Sequence, residues 1–469
     1  MSEYVDHNCG LVVAHTLHDA YSMIQDLQHR GRDAAGIAAI GDGRIDVLKW
    51  AGSVRSFDLK DLHKLFPGSQ YHTFMAHVRY ATRGKKDQML QDAHPHTIGG
   101  TIEDHGSHLF VHDCDIAGVH NGQVEEEYFS GIDAGSLRTG CDTEKLLHFY
   151  SKFGEASLLT TIPGAYTLAV ADKRRPEVIV LRDRTGIKPG VLGIKDGKYL
   201  VTSEDIAFRK NGGELVSDLE LGTAYYFDHS GNYRKMNFSS AQPKHCFFEF
   251  NYIGDVDSVL EGINVRRVRS MLGERTADEI KLNHIDLVSY VPRCPEVAAQ
   301  SFAARKGIDF FPIFYKMRGE RSFQGADRDE RTQSINDNLH LLPRMKERLK
   351  GKKVVIIDDS IVRGTVLQRV RHLLYDEAKV REAHIVSYTP PIGIIPDDGI
   401  PRGCKFGVDM PPNDSFLARG RTLEQISTDA GIDVQYMSLD GMRDVFGRAG
   451  IPGDNLCTFC IGGKHPFSP

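Results

Sequence analysis

No stretch of this 469-residue sequence runs apolar for the roughly 18 residues that a bilayer span needs, so no membrane partner is expected. A basic surplus is missing too. Lysine and arginine number 58 against 63 aspartates and glutamates, a net charge of −5, which argues against a nucleic-acid partner. Cysteine is sparse, with eight residues at positions 9, 114, 141, 246, 294, 404, 457 and 460. That is too few for a disulfide scaffold in so long a chain. Residues 1–8 lack the apolar stretch of a secretory signal, so a reducing cytoplasm is the expected compartment. Internal repeats and low-complexity tracts are absent. So is the Gly-x-x-x-x-Gly-Lys-Ser/Thr loop, which excludes a P-loop nucleotide hydrolase. What remains is 41% apolar and 26% charged, an ordinary globular composition. Its length allows two large domains or three smaller ones.

The first 235 residues read as short strands separated by Gly, Asp and Asn turns: 11–13, 35–40, 74–78, 117–120, 166–171, 178–182 and 224–228. Helices are expected over 17–30 and 143–153. Many antiparallel-looking strands with few helices predict a layered α+β unit. From about Gly262 the texture changes. Helical stretches at 265–272, 298–305 and 366–377 alternate with buried-type strands at 286–290, 354–357 and 382–387. That alternation predicts a parallel α/β sheet with crossover helices. The boundary is expected near residues 235–245, and the last 70 residues read as an irregular extension.

The segment Lys352-Lys353-Val354-Val355-Ile356-Ile357-Asp358-Asp359-Ser360-Ile361-Val362-Arg363-Gly364-Thr365 carries the strongest local signal. A four-residue apolar strand ends in two carboxylates. A Ser/Gly/Thr loop then opens a helix, turning backbone N–H groups toward one spot, as phosphate binding requires. Acids at a strand's carboxyl end sit where open α/β sheets bind ligands, and they can meet ribose hydroxyls or a metal. The segment resembles the binding signature for 5-phosphoribosyl-1-pyrophosphate (PRPP) in type I phosphoribosyltransferases. The resemblance assigns Asp358, Asp359, Ser360, Ile361, Val362, Arg363, Gly364 and Thr365 to PRPP, with Lys316 and Arg318 from the preceding segment. Asp358 and Asp359 would also hold Mg²⁺.

At the other end stands Cys9-Gly10-Leu11-Val12-Val13. If residues 1–8 were removed as a leader, Cys9 would carry a free α-amine beside its thiol, and that amine can serve as general base. Four further segments follow in order: Leu27-Gln28-His29-Arg30-Gly31-Arg32-Asp33, His77-Val78-Arg79-Tyr80-Ala81-Thr82, His120-Asn121-Gly122-Gln123 and Gly140-Cys141-Asp142-Thr143-Glu144. With Cys9 they resemble the glutamine amidotransferase domain of the N-terminal-nucleophile class. The resemblance implies an αββα sandwich. Asn121 and Gly122 would donate to the oxyanion, Arg79 would pair with the α-carboxylate of glutamine, Asp142 would meet its ammonium, and Arg30 would shape the wall beside Cys9.

A glutaminase domain joined to a PRPP signature resembles the amidophosphoribosyltransferase family over nearly the whole chain. Relatives that share only the glutaminase make glucosamine phosphate, asparagine or glutamate, and lack the Asp-Asp-Ser-Ile-Val-Arg-Gly-Thr segment. The implied reaction hydrolyses glutamine and joins its ammonia to C1 of PRPP, giving 5-phosphoribosylamine, glutamate and pyrophosphate, the opening of purine synthesis. Purine nucleotides would act as feedback ligands, and a homo-oligomer, dimer or tetramer, is expected. PRPP binding would order the 318–340 loop. The implied division is 1–8, 9–240 and 241–469.

Cys457-Thr458-Phe459-Cys460 reads by itself as a redox pair, half of a zinc site, or chance. One branch of the family holds a [4Fe–4S] cluster on four cysteines. By that resemblance Cys246, Cys404, Cys457 and Cys460 are the ligands, and iron–sulfur is preferred to zinc.

The transferase half departs from the family pattern in places. Val291-Pro292-Arg293-Cys294-Pro295 stands where the pyrophosphate loop has an acid followed by a hydroxyl. Gly325-Ala326-Asp327-Arg328-Asp329-Glu330-Arg331-Thr332 is acidic where a basic loop is usual, and Asn338 replaces a Lys. These departures keep two alternatives open: a paralogue with another acceptor or only glutaminase activity, and a PRPP-sensing regulatory protein without turnover.

Overall fold

The computed structural model describes residues 9–79, 89–129, 131–316 and 337–467. The expected leader, residues 80–82, Arg318 and the acidic loop at 325–332 lie outside them.

Two antiparallel sheets occupy residues 10–237. The first runs, in spatial order, through Glu214–Asp218, Val191–Lys195, Lys198–Thr202, Gly10–Ala14, Thr73–Arg79, Ala34–Gly41, Arg44–Ala51, His108–His112 and Thr101–Asp104. The second runs through Tyr233–Asn237, Thr223–Phe227, Val178–Arg182, Ala165–Asp172, Ile116–Gln123 and His96–Ile98. The strand period of two sorts side chains between layers. Leu11 and Val13 join the core between the sheets, together with Ala117, Val119, Ala169 and Ala171. Val12 and Ala14 face outward and pack under the Leu17–Asp26 helix. Leu168 and Val170 face the other way, under the Asp142–Thr161 helix. This is the αββα sandwich that the resemblance implied. The expected strands are all present, and the hairpins at 44–51, 191–202 and 214–218 were not anticipated. The helix expected over 17–30 stops at Asp26 and continues as a 3₁₀ turn over Gln28–Arg30.

The second half is built on a parallel sheet in the order Leu287–Tyr290, Lys353–Asp358, Glu382–Ser387, Asp433–Tyr436. Val355 and Ile357 enter the core on one face, Val354 and Ile356 the core on the other, as expected of a strand covered on both sides. The fourth strand corrects one sequence expectation. Residues 423–449 are not irregular. They form the Leu423–Ala430 helix, the edge strand and the Leu439–Ala449 helix. The 433–436 strand is only four residues long, too short to stand out among the surrounding glycines and prolines.

The Val265–Glu279 and Glu296–Lys306 helices cross with Gly273 against the backbone of Ala298. A Cβ at 273 would lie 2.1 Å from the Ala298 carbonyl oxygen. Alanine gains about 1 kcal/mol over glycine in an open helix. Here the obstacle is backbone, so separation of the helices outweighs that gain. Gly273→Ala is expected to destabilise the protein by about 1–3 kcal/mol in urea unfolding; an unchanged or raised midpoint would contradict the contact.

Candidate functional site

Cys9 is fully buried at the start of the Gly10–Ala14 strand. Its carbonyl accepts from Arg30 Nε at 2.9 Å. Gly10 lies opposite Val78 in the antiparallel register, so Cys9 comes next in line with Arg79. Across the sandwich, the Gly10–Ala14 and Thr73–Arg79 strands face Ile116–Gln123, which carries Asn121 and Gly122. His77 Nε2 contacts the His120 carbonyl at 3.0 Å and pins the two sheets together one residue before Asn121. Burial holds the His77 imidazole neutral, its pKa lowered to about 3.

Asn121 is fully buried, and neither its Oδ1 nor its Nδ2 has a hydrogen-bond partner among the described residues. A buried amide with both ends unmatched costs free energy unless a ligand meets it. Gly122 has φ +150°, and a Cβ there would lie 1.8 Å from the Ala165 carbonyl oxygen, so only glycine fits beside Asn121. Arg79 is equally buried. It reaches Met89 O at 3.5 Å and Asp92 at 3.6 Å, and its Nε has no hydrogen-bond partner among the described residues. Asp142 accepts from Val124 N at 2.9 Å and lies 3.8 Å from His120 Nδ1. Arg79 is close enough to act electrostatically on Cys141, the neighbour of Asp142. The predicted glutamine-holding pair and the predicted oxyanion donors therefore share one region. A cavity of about 510 Å³ opens beside it, lined by Asp92, Glu126, Arg138, Thr139 and Lys145 among others.

In the second half, Asp358 and Asp359 stand at the carboxyl end of the Lys353–Asp358 strand, both nearly buried. Asp358 is held well above the usual carboxylate range by burial first and by Asp359 second; the Lys316 charge opposes this. Lys316 thus lies near the acids, as the sequence implied. Ser360 Oγ donates to Asp359 at 2.9 Å, and Gly364 turns the chain with φ +80° into the Thr365–Arg371 helix. Ile361 and Val362 pack their side chains into the two cores, leaving their backbone to the loop. Arg363 is not open. It pairs with Asp414, sits 3.5 Å from Asp409 Oδ1 and donates to the Asp409 carbonyl at 3.0 Å. The Arg293–Cys294 loop runs alongside, since Val291 N donates to Ile357 O at 3.0 Å.

The four late cysteines converge. Cys246 and Cys457 are register partners in a parallel pair 211 residues apart in sequence. Cys246, Cys404, Cys457 and Cys460 line one tight pocket, only about 10 Å³, with Phe248 and Phe459. Burial raises the Cys457 and Cys460 thiols, and the mutual influence of Cys246 and Cys404 raises them further. Phe406 N donates to Cys404 Sγ at 3.3 Å. Four convergent thiols in an apolar shell fit a cationic iron–sulfur group, and the adjacent acids fit a divalent cation.

Sequence reasoning missed what joins the halves. Arg30 pairs with Glu204 and with Glu249, the latter at 2.9 Å, and Lys188 Nζ reaches Glu249 at 3.3 Å and Gly407 O at 3.1 Å. Burial opposes the Arg30 cation, but Glu249 and Glu204 more than offset it and raise its pKa. Glu125 meets Lys405 at 2.6 Å and His465 at 3.1 Å. Each of these residues looks like a surface charge when read alone.

A buried, unmatched amide on a strand packed against the one that follows a buried cysteine, together with paired acids at the end of a parallel strand, fits a glutamine amidotransferase of the N-terminal-nucleophile class fused to a type I phosphoribosyltransferase. A family model described as a glutamine amidotransferase domain matches residues 119–238. The amidophosphoribosyltransferase of Archaeoglobus fulgidus is 30% identical over 461 residues, 96% of this chain and 94% of that protein. The Bacillus subtilis protein of the same name is 28% identical over 466 residues, 95% of this chain and 90% of its own. The solved B. subtilis glutamine PRPP amidotransferase, complexed with ADP and GMP, superposes with a TM-score of 0.79 at 25% identity, covering 98% of this chain and 97% of that one. The chain belongs to the amidophosphoribosyltransferase family.

The raised Asp358 has a measurable consequence. In the folded state this carboxyl binds its proton more tightly than its ordinary 3.8. Stability therefore falls as pH rises from about 3.8 through the folded pKa. Asp358→Asn is expected to stabilise the magnesium- and PRPP-free protein by at least about 1 kcal/mol at pH 8. The gain should shrink as pH falls toward 4. Urea unfolding across pH reads it, and a loss of stability at pH 8 would remove the strained-carboxylate account.

Proposed function

We propose that this chain is an amidophosphoribosyltransferase. It hydrolyses glutamine at Cys9 and transfers the ammonia to C1 of PRPP, giving 5-phosphoribosylamine, glutamate and pyrophosphate, the first step of purine synthesis. The buried, unmatched Asn121 amide, on a strand that packs against the strand following Cys9, supports the glutaminase half. We divide the chain at 240/241 into a glutaminase domain and a transferase domain with the cysteine-bearing extension.

Arg79 would hold the α-carboxylate of glutamine and Asp142 its ammonium. The Cys9 thiolate attacks the side-chain carbonyl, whose oxyanion accepts from Asn121 Nδ2 and Gly122 N–H. Collapse to the thioester releases ammonia, and water then frees glutamate. With residues 1–8 removed, the Cys9 amine takes the thiol proton and returns it to the leaving nitrogen. Arg30 fixes the Cys9 carbonyl and so the rotation of the nucleophile. In the other half the 360–365 backbone would cradle the phosphate of PRPP, Asp358 and Asp359 would meet its ribose hydroxyls and Mg²⁺, and Lys316 and Arg318 its pyrophosphate. Bound magnesium supplies neutralisation of the departing pyrophosphate. Cys246, Cys404, Cys457 and Cys460 would hold a [4Fe–4S] cluster, which would tie the junction to the tail. The B. subtilis relative is described in complex with ADP and GMP, which supports purine nucleotides as regulators here. The described residues include no helix long and apolar enough to cross a membrane, and a cytoplasmic homo-oligomer completes the reading.

Cys9→Ala is expected to abolish glutamine-dependent pyrophosphate release from PRPP, by more than 1000-fold, while ammonium-dependent release persists. Loss of both would count against two separate sites. Absence of release from the unmodified protein with either nitrogen source would favour a glutaminase or a regulatory PRPP binder. Intact mass showing residues 1–8 still attached to active protein would remove the terminal amine from the mechanism.

Anaerobically purified protein should be brown and hold about four irons per chain. Zinc without iron at the four cysteines would overturn the cluster.

A further inference from the structure

Outside the residues assigned above, the described chain brings three buried ligand atoms together. A ring nitrogen of His94, a ring nitrogen of His96 and the sulfur of Cys141 all lie within 4.8 Å of one another. Each residue is at most 2% exposed. They come from two elements. His94 and His96 flank Pro95 at the start of the His96–Ile98 strand, which pairs with Ile116–Gln123. Cys141 precedes the first residue of the Asp142–Thr161 helix. The rings are held in place. His94 stacks on His77 at 4.1 Å, meets His96 edge-on at 4.7 Å and lies 2.8 Å from Thr143 Oγ1, while His96 Nε2 is 3.3 Å from the Asp92 carbonyl.

The two imidazoles and the thiol lie in a dry interior where polar atoms need partners, and Cys141 Sγ itself contacts Asp142 Oδ1 at 3.6 Å. They are also a normal donor set for a borderline-soft cation. We propose that His94, His96 and Cys141 form a second metal site, for a divalent cation of the zinc class, with water in the fourth position. Zinc bonds of about 2.0–2.1 Å to nitrogen and 2.3 Å to sulfur place tetrahedral ligand atoms about 3.3–3.7 Å apart. The trio therefore needs to close by no more than about 1.5 Å on binding. The Cys141 proton leaves to solvent as the metal–sulfur bond forms, so the bound site carries one net positive charge. Arg79 and Lys49 lie nearby, balanced by Asp92 and Glu144 on the same side and by Asp142 next to Cys141.

The metal would join the segment that carries Asp92 to the helix start that carries Asp142. Both flank Arg79, so occupancy braces the glutamine-holding corner. The site itself stands on geometry and does not depend on the glutaminase reading.

The test uses the full chain, purified anaerobically with its four-cysteine site in the native state, and Zn²⁺ alone as probe. One zinc per chain is expected after equilibration and desalting. Its X-ray absorption edge should report two imidazole nitrogens, one sulfur and one further light atom. Cys141→Ser and His96→Gln should each weaken zinc binding at least tenfold without changing the iron content. A zinc shell made of four sulfurs would place the metal at the other cysteines and overturn the site. So would undiminished binding in both variants, or no zinc uptake at micromolar concentration. The wild-type absorption spectrum decides the matter even if one variant does not fold.

Discussion

The buried guanidinium of Arg30 is the constraint on which the arrangement of the two halves depends. It reaches the Cys9 carbonyl within its own domain, Glu204 in the same domain and Glu249 beyond the junction, and Lys188 adds a second cation on Glu249. A buried charge network of this kind is weak evidence for stability as such, because desolvation takes back most of the attraction. Its effect is on register. Losing one partner strands the others in a medium that cannot solvate them, a cost of about 3–5 kcal/mol. The two domains are therefore held at one angle rather than merely in contact. Burial alone would raise Glu204, yet His29 and Arg30 keep it well below the usual range, so it stays ionised with its partners. The residue that holds the Cys9 carbonyl is thus also paired with the second half of the chain.

Much of this was legible in the sequence, and for identifiable reasons. The Lys353–Asp358 strand announces itself because a strand buried on both faces is apolar from Val354 to Ile357 and turns polar at its end, where Asp358 and Asp359 stand. Strands of the sandwich core, such as Ala165–Asp172, were visible as apolar runs. Two of the strands that escaped, Glu214–Asp218 and Tyr233–Asn237, lie at sheet edges and are largely exposed, so they carry little apolar signal, whereas Arg44–Ala51 escaped although it is central and buried. The Glu204–Arg30–Glu249 network could not be read at all. Its members are 174 and 219 residues apart, and nothing local distinguishes a charge that will be buried from one that will be solvated. The trio of His94, His96 and Cys141 escaped for the same reason: the histidines are two residues apart on a strand, and the thiol comes from another element.

Arg363 shows how a motif can be present and still be tied elsewhere. Its position in the phosphate loop follows the signature, but its guanidinium is engaged with Asp409 and Asp414. Those acids lie on the same stretch as Cys404, whose neighbour Lys405 meets Glu125 just past the Ile116–Gln123 strand. The 403–414 stretch therefore touches the loop at 360–365, the cysteine quartet and the first half of the chain at once.

The parallel pairing of Cys246 with Cys457 also bears on how the molecule is made. A ribosome delivers the chain from its amino end, so Cys246 emerges when the sandwich is complete and then waits for more than 200 further residues. The cysteine quartet can close only after Cys460 is free of the exit tunnel. A chain interrupted before that point exposes an apolar shell and two unmatched thiols. Closure of the quartet therefore waits until both halves of the chain have been made.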